Sequence, residues 1–315
     1  MSVETSSQKS FSLPFGKRNS GPQEGGRPLK LWQQLIYQAL ALLIAFIVIF
    51  PILWIVSLSL NPKNVSRPKN LIPEQISFDA YLRVLDKPTA NPVTFRELAV
   101  NQLKLAGGSS IAAVLIGVLA AYSFSRFNFK GRKALMVTVV TVLMLPSIAT
   151  VAPLFVLLNK IQISLGDITF NLRDSLWGVG LAVVSGQLPF AIWNLKGYLD
   201  TIPKEIEEAA IIDGASPNQM FISIVLPLAM PALAVTGFLA FSAGWTEFVM
   251  SWQFLTKPQD FTLAMSLWNM VGQFSGDVPW SVFAAMALMV ASPVAIVYLM
   301  LQRYIVGGMT LGGIK

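Results

Sequence analysis

Residues 208–231 read EAAIIDGASPNQMFISIVLPLAMP. This segment lies between two long apolar tracts and contains several polar residues, of which few are charged. Its spacing predicts a helix, a break and a second helix. Gly214 is placed to end the first helix, because glycine adopts the left-handed backbone conformation at little cost. Ser216 stands three residues before Gln219, with Pro217 between them, which is the pattern of a capped helix start with proline at the first helical position.

The predicted hairpin, residues 200–230, combines an acidic surface with an apolar one. Pro203 fits the first turn of the first helix. Helical spacing places five residues on one face: Ile202, Ile206, Ala209, Ala210 and Asp213. Glu205 and Glu208 lie beside that face. The second helix has its own apolar face, formed by Met220, Phe221, Ile224 and Val225.

The composition predicts an all-α integral membrane protein. The 315 residues are 54% hydrophobic and 12% charged, whereas soluble domains carry about 25% charged residues. A spanning helix needs about 20 apolar residues. Six tracts meet that requirement: 39–60, 105–124, 134–158, 175–195, 231–254 and 278–301. We therefore expect six transmembrane helices.

The chain contains no cysteine and no histidine. Disulfides, thiolate chemistry, imidazole catalysis and imidazole-based metal binding are thereby excluded. We expect no metal site and no cofactor bound by this chain. The net charge of +7 raises the alternative of nucleic-acid binding. In a membrane protein the simpler cause is retention of basic residues on the cytoplasmic side, so we expect no nucleic-acid partner.

The basic residues also predict the orientation. Residues 1–30 are rich in Ser, Gly and Pro and predict a disordered cytoplasmic tail. The loop after the second tract carries four basic residues and no nearby acid: Arg126, Lys130, Arg132 and Lys133. With this loop inside, six spans place both termini in the cytoplasm. The loop 61–104 has seven basic residues and argues the other way, but it is long and also carries four acids.

Two interpretations of the hairpin 200–230 are open on this topology. It is either an amphipathic hairpin resting on the lipid surface or a surface for a protein partner. The cytoplasmic leaflet is anionic and recruits Lys and Arg. The first helix instead carries four acids and one lysine: Glu205, Glu207, Glu208, Asp213 and Lys204. A basic groove in a partner protein suits this charge better, in the helix-in-groove mode of recognition.

The hairpin also resembles a known motif. Its matching residues are Glu208-Ala209-Ala210, Asp213-Gly214-Ala215, Ile224, Leu226 and Pro227. They resemble the EAA motif of ABC importer permeases. Residues 71–77, residues 302–306 and Gly312-Gly313 are similar to the smaller permease of maltose and maltodextrin uptake systems. The resemblance covers nearly the whole chain. It implies the type I ABC importer permease fold for residues 31–315.

The resemblance implies that the hairpin is a coupling helix, which docks into a cleft of a cytoplasmic ATPase dimer. The residues expected to couple are Glu208, Ala209, Ala210, Asp213, Gly214, Phe221, Ile224 and Pro227. The further partners implied are a second homologous permease and an extracytoplasmic solute-binding protein, in the bacterial cytoplasmic membrane with its lipid. The implied solute is maltose or a maltodextrin, with trehalose or another sugar as the alternative. ATP hydrolysis would belong to the partner, because this chain lacks a Gly-x4-Gly-Lys-Ser/Thr loop.

Four residues on the outer side are candidates for the solute path or for a loop that meets the binding protein: Glu247, Trp268, Asn269 and Gln273. An ionisable group at membrane depth suggests function by default. The alternative for Glu247 is that it anchors a loop at the interface. Aromatic rings beside amides suit carbohydrate, but aromatic residues are also common at membrane interfaces.

Two other function classes are weaker. An ion-coupled secondary transporter usually needs acids or histidines within the bundle, and Glu247 is the only acid in the six tracts. An intramembrane enzyme would need a nucleophile or metal motif, and neither Gly-x-Ser-x-Gly nor His-Glu-x-x-His occurs.

Overall fold

The computed structural model describes residues 30–68, 70–165, 168–273 and 278–311. The chain forms two compact units, Met1–Pro51 and Ile52–Lys315. In the first unit the described residues are Lys30 and the beginning of α1 (Leu31–Ser59), an apolar helix long enough to span a membrane. The tail predicted for residues 1–30 lies outside the described residues except for Lys30, and Gly312-Gly313 lies outside them as well.

The second unit is helical in its described part apart from one short hairpin. Its earlier helices are α2 (Asp79–Asp86), α3 (Phe95–Arg126), α4 (Arg132–Leu143), α5 (Val151–Lys160), α6 (Leu176–Leu199) and α7 (Lys204–Ile212). The later helices are α8 (Pro217–Met220), α9 (Leu226–Leu228), α10 (Met230–Trp245), α11 (Val249–Phe254), α12 (Leu263–Gln273) and α13 (Trp280–Leu311). Strands β1 (Gln162–Leu165) and β2 (Ile168–Asn171) pair antiparallel, and the sequence analysis did not predict them.

Five of the described helical segments are long and apolar enough to cross a membrane: Leu31–Ser59, Phe95–Arg126, Leu176–Leu199, Met230–Phe254 and Trp280–Tyr304. The predicted span 134–158 is not one straight helix. Arg132–Leu143 and Ser147–Lys160 meet at an angle of 104°. Pro146 lies in the break, where it supplies no backbone N–H and disfavours a helical conformation at the residue before it. The count reaches six only if this bent pair is one span.

The second span begins ten residues earlier than its apolar tract. Thr94 caps α3 by accepting a hydrogen bond from the Glu97 backbone N–H, and the Glu97 carboxylate accepts one from the Thr94 N–H in return. This capping box satisfies two of the free N–H groups at the helix start. The helix therefore forms in a polar stretch, and a search for apolar residues alone places its start at residue 105.

Helix α3 occupies the centre of the second unit and makes its most extensive contacts with α6 and α10. Glycine permits the close approach at both crossings. A Cβ atom added to Gly117 would lie 2.9 Å from the Cβ atom of Ala191 on α6. One added to Gly244 would lie 2.9 Å from the Cα atom of Ala106 on α3. Small residues at such crossings are the usual means of packing helices within membranes, where lipid offers no hydrophobic driving force.

The first turns of α3 hold the segment that follows α10. The Gln102 side chain is fully buried and donates to the carbonyls of Gly244 and Trp245, at 3.0 and 2.8 Å. Its carbonyl oxygen accepts a hydrogen bond from the Ala264 N–H of α12. The Asn101 amide donates to the carbonyls of Gln259 and Phe261. These bonds satisfy backbone groups without helical partners at the end of α10 and at the entry to α12.

We expect Gly244→Ala to destabilise the protein by about 1–3 kcal/mol, because the new methyl group overpacks the α3–α10 crossing. Gly108→Ala on α3 is the matched control, since a Cβ there meets no atom within 4 Å. The measurement is the thermal unfolding midpoint of each purified variant in the same detergent. Equal midpoints for the two variants would contradict the close crossing at Gly244.

Candidate functional site

The turn after α7 forms as its sequence predicts. Gly214 has φ +87° and so occupies the left-handed region. The Ala215 N–H donates to the Ala210 carbonyl at 2.9 Å, and the Gly214 N–H donates to the Ile211 carbonyl at 3.0 Å. This pair of bonds is the Schellman motif, which closes a helix C-terminus. The predicted role of Gly214 as the helix stop is confirmed.

The second half of the hairpin starts as predicted but continues differently. Ser216 caps α8, its hydroxyl accepting from the Gln219 N–H at 3.3 Å, and Pro217 takes the first helical position. The return bond of a full capping box is absent from this described segment. After α8 the chain forms one π-helical segment, Phe221–Val225, before α9 and α10. Such segments often interrupt helices at functional positions.

The eight predicted coupling residues divide by exposure. Phe221 and Ile224 are half-buried, and Ala210 is buried. The other five are exposed: Glu208, Ala209, Asp213, Gly214 and Pro227. Met220 and Val225 are buried, and Val225 belongs to a cluster that includes Val118 and Ala121 of α3, which agrees with the apolar face predicted for the second helix. The exposed acids of α7 therefore form a surface that the rest of the described structure leaves uncovered.

The face that α7 turns inward differs in part from the one that helical spacing predicted, since Ile202 and Ala210 of that face are buried but Ala209 and Asp213 are exposed. Glu207 and Ala210 are buried, whereas Ile206 is 39% exposed. Ile211 and Ile212 are 57% and 86% exposed beside the acids. The physical reason is a charge partner for Glu207 on α3. This interaction turns the helix so that a carboxylate, not an isoleucine, faces the protein.

Arg126, in the last turn of α3, is that partner. Its Nε atom lies 2.5 Å from Oε1 of Glu207, and the two side chains are 7% and 8% exposed. The Tyr122 hydroxyl donates to the other carboxylate oxygen at 3.2 Å. Nη2 of Arg126 donates to the Ile202 carbonyl at 3.1 Å. We call this set the α3–α7 contact. Sequence reasoning placed Arg126 in a basic loop and missed the pair.

The α3–α7 contact continues toward the end of α6. Nη1 of Arg126 donates to the Ser125 hydroxyl, which in turn donates to Asp200 at 2.6 Å. Lys196 pairs with the other oxygen of Asp200. Burial opposes ionisation of Asp200, but the hydrogen bonds from Lys196 and Ser125 and the charges of Lys196 and Arg132 outweigh it and lower the pKa of that carboxyl. The start of the hairpin is thus tied to α3 by fixed charges.

At the other end of α3 the structure separates the four predicted outer residues. The Glu247 carboxylate accepts from the backbone N–H groups of Met250 and Ser251 and from the Ser251 hydroxyl, at 2.6, 3.3 and 2.7 Å. It therefore caps α11, where a negative charge is favourable at a helix N-terminus. This geometry supports the interpretation that Glu247 holds the adjacent segment.

Trp268 lies on α12 and stacks on Phe248, with ring centroids 5.0 Å apart. Both rings line a groove of about 830 Å³ between α10, α12 and α13. Its lining is almost wholly apolar, and the Trp245 indole N–H there already donates to the Val290 carbonyl. Asn269 is half-buried on α12 and is not part of the groove lining. The side chain of Gln273 lies outside the described residues, so the role of these amides stays a prediction.

The segment before α12 is held to the start of α6 by Asp174. Its carboxylate accepts from the backbone N–H and the hydroxyl of Thr256, at 2.7 and 2.8 Å, with Lys257 3.8 Å away. Burial opposes ionisation, but these hydrogen bonds and the charges of Lys257 and Arg173 prevail and lower the pKa of Asp174.

We expect Glu207→Ala to destabilise the protein by about 3–5 kcal/mol, because it leaves the buried Arg126 charge without a partner. Glu208→Ala is the matched control. That neighbouring acid is exposed, and its replacement should stay within about 0.5 kcal/mol. Thermal unfolding in detergent measures both. A similar decrease of the unfolding midpoint in the two variants would contradict a stabilising role of the buried Arg126–Glu207 pair.

The lowered pKa of Asp174 predicts a pH dependence. A carboxylate with a depressed folded-state pKa stabilises above its unfolded pKa of about 3.9 and loses that contribution as pH falls through the folded value. In the parent chain, the thermal unfolding midpoint should therefore decrease when the pH is lowered below about 4. Asp174→Asn should remove the part of this pH dependence that Asp174 contributes. Asp86→Asn, at an exposed position, is the control. An unchanged slope in Asp174→Asn would contradict the assignment.

Comparison with known proteins agrees with this geometry. The chain is 35% identical over 277 residues to the galactooligosaccharides transport system permease protein GanQ of Bacillus subtilis, covering 87% of this chain and 94% of that one. It is 34% identical over 288 residues to the maltose/maltodextrin transport system permease protein MalG of Escherichia coli K12, covering 89% and 95%. It is 31% identical over 267 residues to the trehalose transport system permease protein SugB of Mycobacterium tuberculosis, covering 85% and 92%.

A crystal structure of a bacterial ABC transporter that imports the acidic polysaccharide alginate contains a chain of the same fold, with a TM-score of 0.72 at 23% identity over 89% of this chain and 99% of that one. The family model for the inner membrane component of binding-protein-dependent transport systems matches residues 113–310. This match covers more than half of the chain and includes the whole hairpin 200–230. The chain therefore belongs to the family of inner membrane components of binding-protein-dependent transport systems.

Proposed function

We propose that the chain is the permease subunit of an ATP-driven ABC importer for uncharged oligosaccharides, with maltose and maltodextrins as the leading substrates. In this proposal it forms part of the translocation path together with a second homologous permease. A cytoplasmic ATPase dimer supplies the work, and an extracytoplasmic binding protein delivers the solute. Trehalose and galactooligosaccharides are the alternative solutes, as the names of the relatives suggest.

The observation that carries the proposal is the exposed surface of α7. Glu208 and Asp213 lie beside Ile211 and Ile212, so acidic and apolar groups are presented together. The helix is short, closed by the turn at Gly214, and fixed to α3 by a buried ion pair. A rigid, exposed, mixed surface of this kind fits a groove in a partner protein, where apolar contact gives affinity and the acids give orientation.

The placement of charge supports the orientation that the proposal needs. Arg126 and the exposed Lys130 lie at the same end of α3 as α7, whereas Gln102 and α12 lie at the other end. Twenty-four residues separate Gln102 from Arg126, about 36 Å at 1.5 Å per residue, which exceeds the hydrocarbon thickness of about 30 Å. The basic end belongs in the cytoplasm by the positive-inside rule, and the proposal places both termini there.

The polarity of the spans favours an uncharged solute. The six apolar tracts contain no Asp, Lys or Arg, and Glu247 is their only glutamate. Apart from Glu247, their polar side chains are uncharged amides, hydroxyls and indoles. Asn194 donates to the Thr236 hydroxyl between α6 and α10, and Oε1 of Gln187 and Oγ of Ser242 are buried without a hydrogen-bond partner in the described structure. Neutral groups of this kind pair with sugar hydroxyls without a charge to balance.

The mechanism follows from these parts. Closure of the ATPase dimer on ATP displaces α7, and the spans shift between inward-open and outward-open populations. This chain supplies the docking surface, the rigid connection and the path, and the ATPase supplies phosphate chemistry. An ion-coupled transporter is disfavoured, because the Glu247 carboxylate already accepts three hydrogen bonds as a helix cap and is not free to carry an ion.

Transport in proteoliposomes tests the function. We expect vesicles that contain this chain, its second permease, the ATPase and the binding protein to accumulate labelled maltotriose only when ATP is enclosed. Competition by unlabelled galactooligosaccharide and trehalose ranks the solutes. Uptake by this chain alone down a sodium or proton gradient would show a secondary transporter instead.

Because the chain has no cysteine, single cysteine variants report orientation without background labelling. Glu208→Cys should react with a membrane-impermeant maleimide only after the cells are opened, and Trp268→Cys should react in spheroplasts with intact membranes. Both positions are exposed in the structure. The reverse pattern would contradict the proposed topology.

We expect Glu208→Lys to reduce recovery of the ATPase with the purified permease by about tenfold, since a like charge now faces a basic groove and like-charge contacts cost several kcal/mol. Asp86→Lys makes the same charge change at an exposed position on α2, at the opposite end of the unit, and should leave recovery unchanged. Normal recovery of the ATPase with Glu208→Lys would contradict docking through α7.

A further inference from the structure

We propose that Arg126 and Glu207 are the positioning residues through which displacement of α7 reaches the membrane, so that α3 carries the movement rather than the chain connections on either side of α7. This inference rests on the proposed function. It adds to that function a route for the mechanical work and assigns the route to two residues outside the EAA motif.

Three routes lead from α7 into the spans, and the two covalent ones are interrupted. Toward α6 the chain passes through residues 200–203, which are not helical. Toward α10 it passes through the turn at Gly214, the four residues of α8, the π-helical segment Phe221–Val225 and a further break near Ala229. Each interruption replaces regular helical hydrogen bonds with a junction that bends more easily than a continuous helix.

The third route, the α3–α7 contact, is short and directional. The Arg126 guanidinium binds two points of the hairpin, the Ile202 carbonyl before α7 and the Glu207 carboxylate in the first turn of α7. Tyr122, one turn earlier on α3, holds the second carboxylate oxygen and also packs against Phe221, with ring centroids 4.8 Å apart. Attachment at several points fixes the orientation of α7 as well as its position, and the planar fork of arginine suits this task better than a lysine ammonium.

Beyond the contact, α3 is a continuous helix to the opposite end of the unit. It runs from Phe95 to Arg126 with no proline inside. Near its start, Gln102 binds the carbonyls at the end of α10 and the first turn of α12. A displacement applied at Arg126 therefore arrives at the segment that carries Glu247 and Trp268. The two ends are joined by one continuous helix, which is the kind of connection that transmits movement between distant sites.

The test removes the directional bonds and keeps the packing. Replacing a buried ion pair with apolar residues of similar volume is often neutral or stabilising, so the double variant Arg126→Met/Glu207→Leu is suited to the purpose. In the assembled transporter in proteoliposomes we expect the amount of maltotriose moved per ATP hydrolysed to fall about tenfold, within the range typical of coupling between sites. ATP hydrolysis and recovery of the ATPase should persist.

Ser123→Ala is the matched control. This hydroxyl lies at the same end of α3, but it donates to the Leu119 carbonyl of its own helix at 2.9 Å rather than to α6 or α7. It should keep the parental ratio of transport to hydrolysis. If the double variant does not assemble, Arg126→Lys replaces it, since that variant keeps the charge and loses the fork. A parental ratio in whichever of these two variants assembles would overturn the inference.

A distance measurement adds a readout that a merely structural role would not move. Spin labels at Ile212→Cys on α7 and Leu103→Cys on α3 occupy exposed positions in an otherwise cysteine-free chain. In the parental sequence the distance between the labels should stay the same with and without nucleotide, because α7 and α3 move together. In the double variant it should change with nucleotide. A nucleotide-dependent distance in the parental sequence would also overturn the inference.

The outcomes separate this inference from the proposed function. If the parental chain recovers no ATPase or shows no ATP-dependent uptake, the function itself is wrong. If the parental chain transports sugar and the double variant remains fully coupled, the function stands and only the route through Arg126 is wrong.

Discussion

The ion pair between Arg126 and Glu207 is the constraint on which the arrangement of the cytoplasmic end depends. Two charges that are each more than nine-tenths buried are tolerated only when their hydrogen-bonding groups are satisfied. Tyr122 and the Ile202 carbonyl meet that need. Their positions require α3 to reach beyond its apolar tract and the hairpin to fold back onto it. The exposed face of α7 is consequently fixed by what its opposite face must bind.

The same helix solves a related problem at its other end. There the polar groups are amides, and they bind backbone carbonyls at the end of α10 and in the segment before α12. Between the two ends, α3 meets its neighbours through small residues, with Gly117 facing Ala191 and Gly244 facing Ala106. Polar side chains thus fix the ends while small residues allow close packing in the middle. This division gives a helix that is held at both ends without a charge in the apolar region.

Local rules predicted the parts of the structure that depend on neighbours in sequence. The left-handed turn at Gly214 and the cap at Ser216 follow from residues within four positions of each other, and both formed as expected. The apolar tracts likewise marked the helices. The start of α3 was not predicted, because its first turns are polar. The 104° bend between α4 and the helix that follows it was not predicted either, because proline in a membrane helix is compatible with both a kink and a break.

The burial of Glu207 shows where sequence reasoning stops. Glu207 and Glu208 are adjacent acids about 100° apart around the helix, so helical spacing allows either to face inward. Which of the two acids faces inward depends on Arg126, which is more than 80 residues away in sequence. The sequence alone identifies Arg126 only as one of several basic loop residues. A single sequence carries one hint, which is that Arg126 ends a long helix at the depth where an unpaired charge is costly.

The placement of charge also explains why work must enter this chain from outside it, on the proposed function. A transporter that is driven by an ion gradient binds and releases the ion at a titratable or charged group within its spans. Here the one acid in the six apolar tracts, Glu247, is engaged as a helix cap, and the remaining ionic contacts of the described hairpin serve to hold elements together. On the proposed function, no charged group of the six apolar tracts is therefore left to bind a driving ion. The work instead enters as displacement, which requires an exposed surface that is connected to the spans. The combination of acids with isoleucines on α7, and the buried pair behind it, meets both requirements.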